Sequence, residues 1–337
     1  MSRKSVLFIF QHFSSFVKAD FQILQTEYNV KCLNFKPSKG LSKTFLQIFK
    51  QFFYLLFNIW KYDIVFVWFA DYSSFFPVLF AKLTGKKSVI VIGGYDVCRV
   101  KKTNYGAFVS KLRGFFTINS MRFSTINLTV SEHVDRKLKY ISPKSKRKLI
   151  YNCVNIEKGK SLPAKKNEVL TVAFLDNERT FYLKGIDLFI EVARELPQFK
   201  FIIVGLNYSK LSHLLKSIPD NIETHEKIPH HQLNSFYERA KFYCQFSQFE
   251  SFGVGVAEAI SFGCIPLVTN GGALPEIVGD SKYIVKRDSH IIGNMIVELE
   301  INHTTNDRQL LHTRINNNFS FDIRKRKLLS ALKELKS

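Results

Sequence analysis

Short, unbroken apolar runs alternate with longer stretches of helical periodicity along nearly the whole chain. In the first half Ser5–Phe10, Ile64–Ala70, Ser88–Ile92 and Asn127–Val130 have the length and composition of strands; in the second half Val169–Leu175, Lys200–Val204, Phe242–Phe246, Ile265–Val268 and Lys282–Val285 repeat the pattern. Runs such as Phe201-Ile-Ile-Val have no polar face, as a strand requires when helices cover both sides of a parallel sheet. Between them helices are predicted at Gly185–Leu196, Tyr208–Ile218, His231–Ala240 and Gly253–Phe262. The order strand, helix, strand predicts an α/β chain of two doubly wound, Rossmann-like domains, residues 1–160 and 161–320. Asn155 to Asn167, Lys-rich with Gly159 and Pro163, reads as the linker between them. In the tail, Ile323, Leu328, Leu329, Leu332 and Leu335 fall on one helical face, so residues 321–337 are predicted to form a docking helix.

Composition agrees with two packed domains. The 337 residues suffice for about two ordinary domains, and 46% apolar residues with 25 Gly plus Pro exclude a disordered or fibrous chain. Five cysteines without a CxxC pair make a poor disulfide framework and point to a reducing compartment. The apolar run after Arg3 and Lys4 ends at Gln11 and reads as a first strand, too short for a signal peptide. Thr44 to Trp60, the most apolar stretch, is interrupted by Gln47, Lys50, Gln51 and Asn58, so no membrane span is predicted.

The net charge of +21 is uneven. Residues 1–160 carry 27 basic and 8 acidic side chains, and the remainder is close to neutral. A basic half joined to a neutral half suggests that the first half faces something anionic: lipid headgroups, nucleic acid or an acidic polymer. The densest clusters are Arg99-Val-Lys-Lys, Lys111 to Arg122 and Arg136 to Lys148. Lys111 to Arg122, interleaved with Leu112, Phe115, Phe116 and Ile118, has the pattern of a basic amphipathic helix on a membrane surface and equally that of a core helix with a solvated basic face.

Phe249 to Glu276 is the most informative stretch. Glu250 and Glu258 lie eight residues apart, a spacing that by itself says little, but a strand ends before them and a helix begins near Gly253. Glu250 is then at the rim, Glu258 more than a turn inside, and the amides of Phe252, Gly253 and Val254 point out of a helix start, a place suited to an anion or to sugar hydroxyls. Two carboxylates beside such amides accept from vicinal hydroxyls, which implies a polyol phosphate ligand. The plain alternative is that Glu258 is a helix-surface carboxylate and Glu250 a first-turn dipole partner.

Over residues 168–337 the chain resembles the retaining glycosyltransferases of family 4, the glycosyl transferases group 1. The resemblance implies that Glu250 holds donor-sugar hydroxyls, Glu258 holds the nucleotide ribose, and Ser251 to Val254 bind sugar through backbone amides. The segment Leu175 to Asp187 is similar to the family's Arg…Lys-Gly element, making Arg179 and Lys184 candidates to neutralise the donor diphosphate. Gly271 and Gly272, followed by Pro275 and Glu276, match a loop near the donor phosphates, although a tight turn also explains the glycines. Gly205 stands where nucleotide folds bring backbone close to a ligand, and Lys227 to Pro229, centred on Ile228, occupies the base-contacting position. The first half departs from the family: in Val91-Ile-Gly-Gly-Tyr-Asp-Val, Gly93 takes the place of a frequent histidine and Asp96 is kept, either to orient an acceptor hydroxyl or to form the turn. The early glycine-rich loop is replaced by His12-Phe-Ser-Ser-Phe.

What the resemblance implies is a GT-B architecture of two facing Rossmann-like domains with the C-terminal helix packing back toward the first. It implies retaining transfer from a nucleotide sugar to a hydroxyl of a glycan or lipid-linked saccharide, in bacterial cell-surface polysaccharide synthesis. The donor is a co-substrate, and no cofactor or metal is expected, since the chain has no Asp-x-Asp and no HExxH. The basic half adds an anionic membrane surface as partner and a peripheral, cytoplasmic location at the inner face of the plasma membrane. Two other readings stay open: a basic nucleic-acid-binding module, disfavoured because no recognition motif is present, and a non-catalytic sugar-nucleotide-binding scaffold.

Overall fold

A computed structural model describes residues 3–36, 41–100, 104–156, 162–215 and 217–335. Lys101 and Lys102 of the first basic cluster and residues 157–161 of the linker lie outside the described residues. The chain forms two compact units, Met1–Cys153 with Phe321–Ser337, and Val154–Ser320.

The first unit is built on β1 (Ser5–Phe10), α1 (Ser15–Gln25), β2 (Asn29–Asn34), α2 (Leu41–Asn58), β3 (Ile64–Trp68), α3 (Tyr72–Leu83), β4 (Lys87–Ile92), α4 (Lys111–Phe123), β5 (Ile126–Thr129), α5 (Glu132–Ile141) and β6 (Arg147–Leu149). All pairings are parallel, in the order β2-β1-β3-β4-β5-β6. Side chains alternate across the central strands: Val6, Phe8, Phe66 and Trp68 enter one core layer, while Leu7, Ile9, Val65 and Val67 enter another with Leu55 and Ile59. Both faces are covered, so these strands are apolar throughout. The edge strands are not. Asn29-Val-Lys-Cys-Leu-Asn and Arg147-Lys-Leu carry little apolar signal, and the sequence pattern misses both because partial exposure at an edge removes the demand for apolar residues.

The second unit contains β7 (Lys166–Leu175), α6 (Glu178–Lys184), α7 (Ile186–Glu195), β8 (Lys200–Leu206), α8 (Tyr208–Leu211), β9 (Ile222–Glu226), α9 (Leu233–Arg239), β10 (Ala240–Gln245), α10 (Val254–Ser261), β11 (Ile265–Thr269), α11 (Leu274–Val278), β12 (Ile284–Val285), α12 (Ser289–Asn302) and α13 (Thr305–Phe319). Its parallel sheet runs β12-β11-β10-β7-β8-β9. The helix predicted over Tyr208–Ile218 stops at Leu211 and tightens into a 3₁₀ turn at Ser212–Leu214. Pro219 bars Ile218 from helical geometry, so the segment cannot run on. In both units the loops that follow the carboxyl ends of the strands carry the candidate residues, the usual place for a ligand crevice in an open α/β sheet.

The final helix, α14 (Phe321–Glu334), packs in the first unit, where Leu328 and Leu332 join the core around Phe8 and Phe66. Its Arg324 is 1% exposed and forms a two-pronged pair with Asp20 of α1, at 2.6 and 2.7 Å. The guanidinium also donates to the carbonyls of Ile150 (3.0 Å) and Tyr151 (2.6 Å), and it lies over the Trp68 ring. Removing one partner of such a buried pair strands the other charge. Arg324→Ala is therefore expected to lower the stability of the first unit by about 3–5 kcal/mol in urea denaturation. The apolar double replacement Asp20→Leu/Arg324→Met should recover most of that loss, because no lone charge remains.

Candidate functional site

Glu250 is held first by its backbone. Its amide donates to the carbonyl of Gly271 (3.1 Å) and its carbonyl accepts from the amide of Ala273 (2.9 Å). The two loops touch so closely that a side chain at Gly271 would lie 2.0 Å from the Ser247 carbonyl, and one at Gly272 2.2 Å from that of Glu250 itself. Gly272 also has a φ of +76°. The Gly-Gly pair is thus explained by backbone stacked on backbone. The Glu250 carboxylate accepts from Lys184 Nζ (2.6 Å), from Gln245 Nε2 (3.2 Å) and from the Ser251 amide (3.3 Å).

Lys184 comes from the last turn of α6, where a cation also complements the carbonyl end of the helix. Gly185, at a φ of +72°, ends that helix, and an added Cβ there would stand 2.2 Å from the Phe246 carbonyl just past the end of β10. The helix end is stitched to the same loop by Gln248, whose amide donates to the Leu183 carbonyl (2.9 Å) and whose side chain donates to that of Tyr182 (3.1 Å). The Lys-Gly pair therefore delivers an ammonium to Glu250 while both side chains remain partly open to solvent, at 27% and 18% exposure.

Glu258, in the second turn of α10, belongs to a different cluster. It bonds His230 Nε2 (2.8 Å) and accepts from the Tyr237 hydroxyl (3.1 Å). Burial, reinforced by the Glu258 charge, pushes the Tyr237 phenol well above its ordinary range and keeps it a donor. The bond to Glu258 raises the His230 pKa, with burial opposing. Gly255 leaves room for the Tyr243 hydroxyl, which a Cβ would meet at 2.4 Å. Sequence pattern reaches only Lys227 to Pro229 in this loop and does not single out His230; the structure puts Ile228 half-buried in the same loop, two residues before it. Gln245 escapes the sequence reading too, as a polar residue inside a run recognised by its apolar content.

The other candidates fall out as follows. Arg179 is exposed in the first turn of α6, five residues before Lys184, which is about 7.5 Å along the axis and roughly 140° around it; it is not part of the Lys184–Glu250 pair. Phe252 is a core side chain against the Phe319 ring, and Gly253, at a φ of +98°, starts α10 where a side chain would press on Leu274. Ser251 to Val254 thus supply the helix start through backbone. Gly205, at a φ of +106°, sits at a register shift between β7 and β8, and the backbone it approaches is the Ala173 carbonyl, 2.1 Å from an added Cβ, so the neighbouring strand accounts for the glycine.

The reading of Asp96 as a group for an acceptor hydroxyl is corrected. It is fully buried and accepts from the amides of Gly94 (2.7 Å), Ala70 (3.1 Å) and Gly93 (3.2 Å). Burial pushes its pKa up to about 6, against the lowering effect of those amides. Asp96 organises the turn after β4. The absence of a histidine at position 93 has a local reason as well: a Cβ there would lie 2.1 Å from the ring of Phe69, itself at a φ of +70°.

Two doubly wound parallel units with these loops define the GT-B class of fold. Residues 155–301, most of the second unit, match the family described as glycosyl transferases group 1. In sequence it is similar to a phosphatidylinositol N-acetylglucosaminyltransferase subunit from Arabidopsis thaliana, 25% identical over 126 residues, which cover 35% of this chain and 28% of that protein. The match thus spans less than a third of that relative. Among solved structures the chain is similar to sucrose-phosphate synthase from Thermosynechococcus elongatus, with a TM-score of 0.79, 13% identity and 99% of each chain covered. It is also similar to Anabaena Alr3699/HepE in complex with UDP and glucose, with a TM-score of 0.72, 14% identity, and 97% of this chain and 99% of that one covered. At these identities the structural likeness concerns the fold.

The His230–Glu258 pair makes a signed prediction. Because the folded pKa of His230 is raised above 6.5, the ion pair is complete below that pH and is lost as pH rises through the raised value. An NMR titration should place the His230 imidazole above 6.5 in the wild type and at or below it in Glu258→Gln; an unchanged value would show that Glu258 does not hold it.

Proposed function

We propose that this chain is a retaining glycosyltransferase that binds a nucleotide-sugar donor in its second unit and moves the sugar to a hydroxyl of a glycan or lipid-linked saccharide. The observation that carries the reading is the Lys184–Glu250 pair, fixed by backbone yet partly open, with the separate Glu258 cluster in the helix that follows. Solved structures of the same fold include a complex with UDP and glucose, which supports a nucleotide-sugar ligand.

In this reading the ion pair is the resting state of the site. A lysine ammonium has three protons, and one is directed at Glu250; the others serve the donor diphosphate when it arrives. Glu250 in turn accepts from the sugar hydroxyls, and Glu258 from the ribose hydroxyls, with Tyr237 and His230 fixing its orientation. As the glycosidic bond to the diphosphate breaks, negative charge grows on the leaving oxygen, and Lys184, with Arg179 at the outer end of the helix, stabilises it. The leaving phosphate then takes the proton of the incoming hydroxyl on the same face of the sugar, giving retention. Charge neutralisation by these side chains asks for no metal and no cofactor. The basic first unit is assigned to the acceptor and to an anionic membrane surface, and the role to bacterial cell-surface polysaccharide synthesis at the cytoplasmic face. Among the described residues no helix is long and apolar enough to cross a membrane.

A second reading, a scaffold that binds sugar nucleotide without turnover, is favoured by the crowding of Gly93 against Phe69, which leaves that position no functional side chain. One experiment decides between them. A panel of nucleotide sugars is screened by thermal shift, followed by assay of released nucleoside diphosphate with membrane lipids present. A single donor is expected to raise Tm in the wild type and not in Lys184→Ala or Glu258→Ala. Lys184→Ala should lower turnover by about 10²–10³-fold. Donor binding without nucleotide release would establish the scaffold; no response to any donor would sink both readings.

A further inference from the structure

Helix α2 has more apolar side chain than one face can hold. Its inner side, with Phe52, Leu55 and the following Ile59, packs on β1, β3 and α3. The opposite side is open: Phe45, Phe49 and Phe57 are 60%, 60% and 70% exposed, and Trp60, just past the helix end, is 65% exposed. With Phe53 between them, their spacing of three or four residues makes one continuous stripe. Leu112 and Phe115 of α4 are also exposed, and between α2, α3 and α4 runs a groove of about 370 Å³ lined by Phe45, Phe49, Phe53, Phe76, Leu112 and Phe116. An exposed apolar patch of this kind marks an interaction surface.

Charge identifies the occupant. From Tyr28 to Tyr62 the chain has no acidic residue, and Lys43, Lys50 and Lys61 are exposed along and just beyond the helix. Lys111 begins α4, one residue before the groove-lining Leu112. A helix with aromatic side chains outward, lysines on its flanks and no carboxylates matches the interface of an anionic bilayer, where rings enter the acyl boundary and ammonium groups meet headgroup phosphates. A second protein copy with the same surface would set lysine against lysine.

We propose that the outer face of α2, with Leu112 and Phe115 of α4, lies in the interfacial plane of an anionic lipid bilayer and that the groove receives lipid hydrocarbon. This deepens the membrane part of the proposed function and stands apart from the donor site. It also places the membrane contact mainly outside Lys111 to Arg122, the segment whose sequence pattern fits a membrane-surface helix and a core helix equally. In the expected amphipathic segment Lys111 to Arg122, Gly114, Thr117 and Ser120 are buried against the unit, so α4 lends only its first turns to the surface.

The chain carries its own reporter. It has two tryptophans, and Trp68 is 1% exposed in the core, so environmental change on docking is read from Trp60. With vesicles of phosphatidylcholine and phosphatidylglycerol, Trp60 emission should shift to the blue and the protein should co-sediment; with phosphatidylcholine alone both should be much weaker. The triple variant Phe45→Gln/Phe49→Gln/Phe57→Gln changes exposed side chains only and should weaken vesicle binding by at least about tenfold, while its thermal melt and its response to donor stay as in the wild type. The proposal is overturned by undiminished binding of that variant, by co-sedimentation without a Trp60 shift, or by no vesicle binding together with self-association that the variant abolishes. Loss of the donor response alone leaves this surface untouched and counts against the donor site instead.

Discussion

A carboxylate taken out of water must be met by donors, and here the donors come from distant parts of the chain. Asp20 is met by Arg324, 304 residues later. Glu250 is met by Lys184, and Glu258 by Tyr237 and His230. Asp96 is met by three amides of two loops. Each match fixes the relative position of two segments that composition alone leaves free. The Asp20 pair ties the tail into the first unit; the Glu250 pair sets the end of α6 against the loop after β10.

Glycine supplies the complementary constraint. Gly185 and Gly272 sit at positive φ with a foreign carbonyl about where a Cβ would be. Their role is to let backbone approach backbone, so that Lys184 and Glu250 are aimed by rigid main chain and only their termini remain adjustable. That division leaves the two charged termini partly open to solvent while everything that orients them is packed.

The first unit divides its surface differently. Its sheet is covered on both faces, as a parallel sheet must be, yet one of the covering helices, α2, has more apolar side chain than the sheet can bury. A covering helix needs one apolar stripe. The second stripe on α2 is surplus to folding and stays exposed between exposed lysines.

The central strands, the helices at Gly185–Leu196 and Gly253–Phe262, the docking tail and the glutamates at 250 and 258 are legible in the sequence because period and composition are local properties. Strand edges are not: β2 and β6 lack the burial that writes an apolar signature. Lys184 is visible as a cation before a glycine, but its pairing with Glu250 depends on Gly185 meeting the end of β10, a contact between segments about sixty residues apart. His230 carries no signal at all, and Asp96 carries a misleading one, since neither exposure nor the company of a side chain is written in its neighbours. Sequence determined which segments become strands and helices and which residues bring charge to the loops after the strands. Tertiary structure alone decided which charges are matched, buried or left outside, because electrostatic pairing and desolvation act through space and are indifferent to order along the chain.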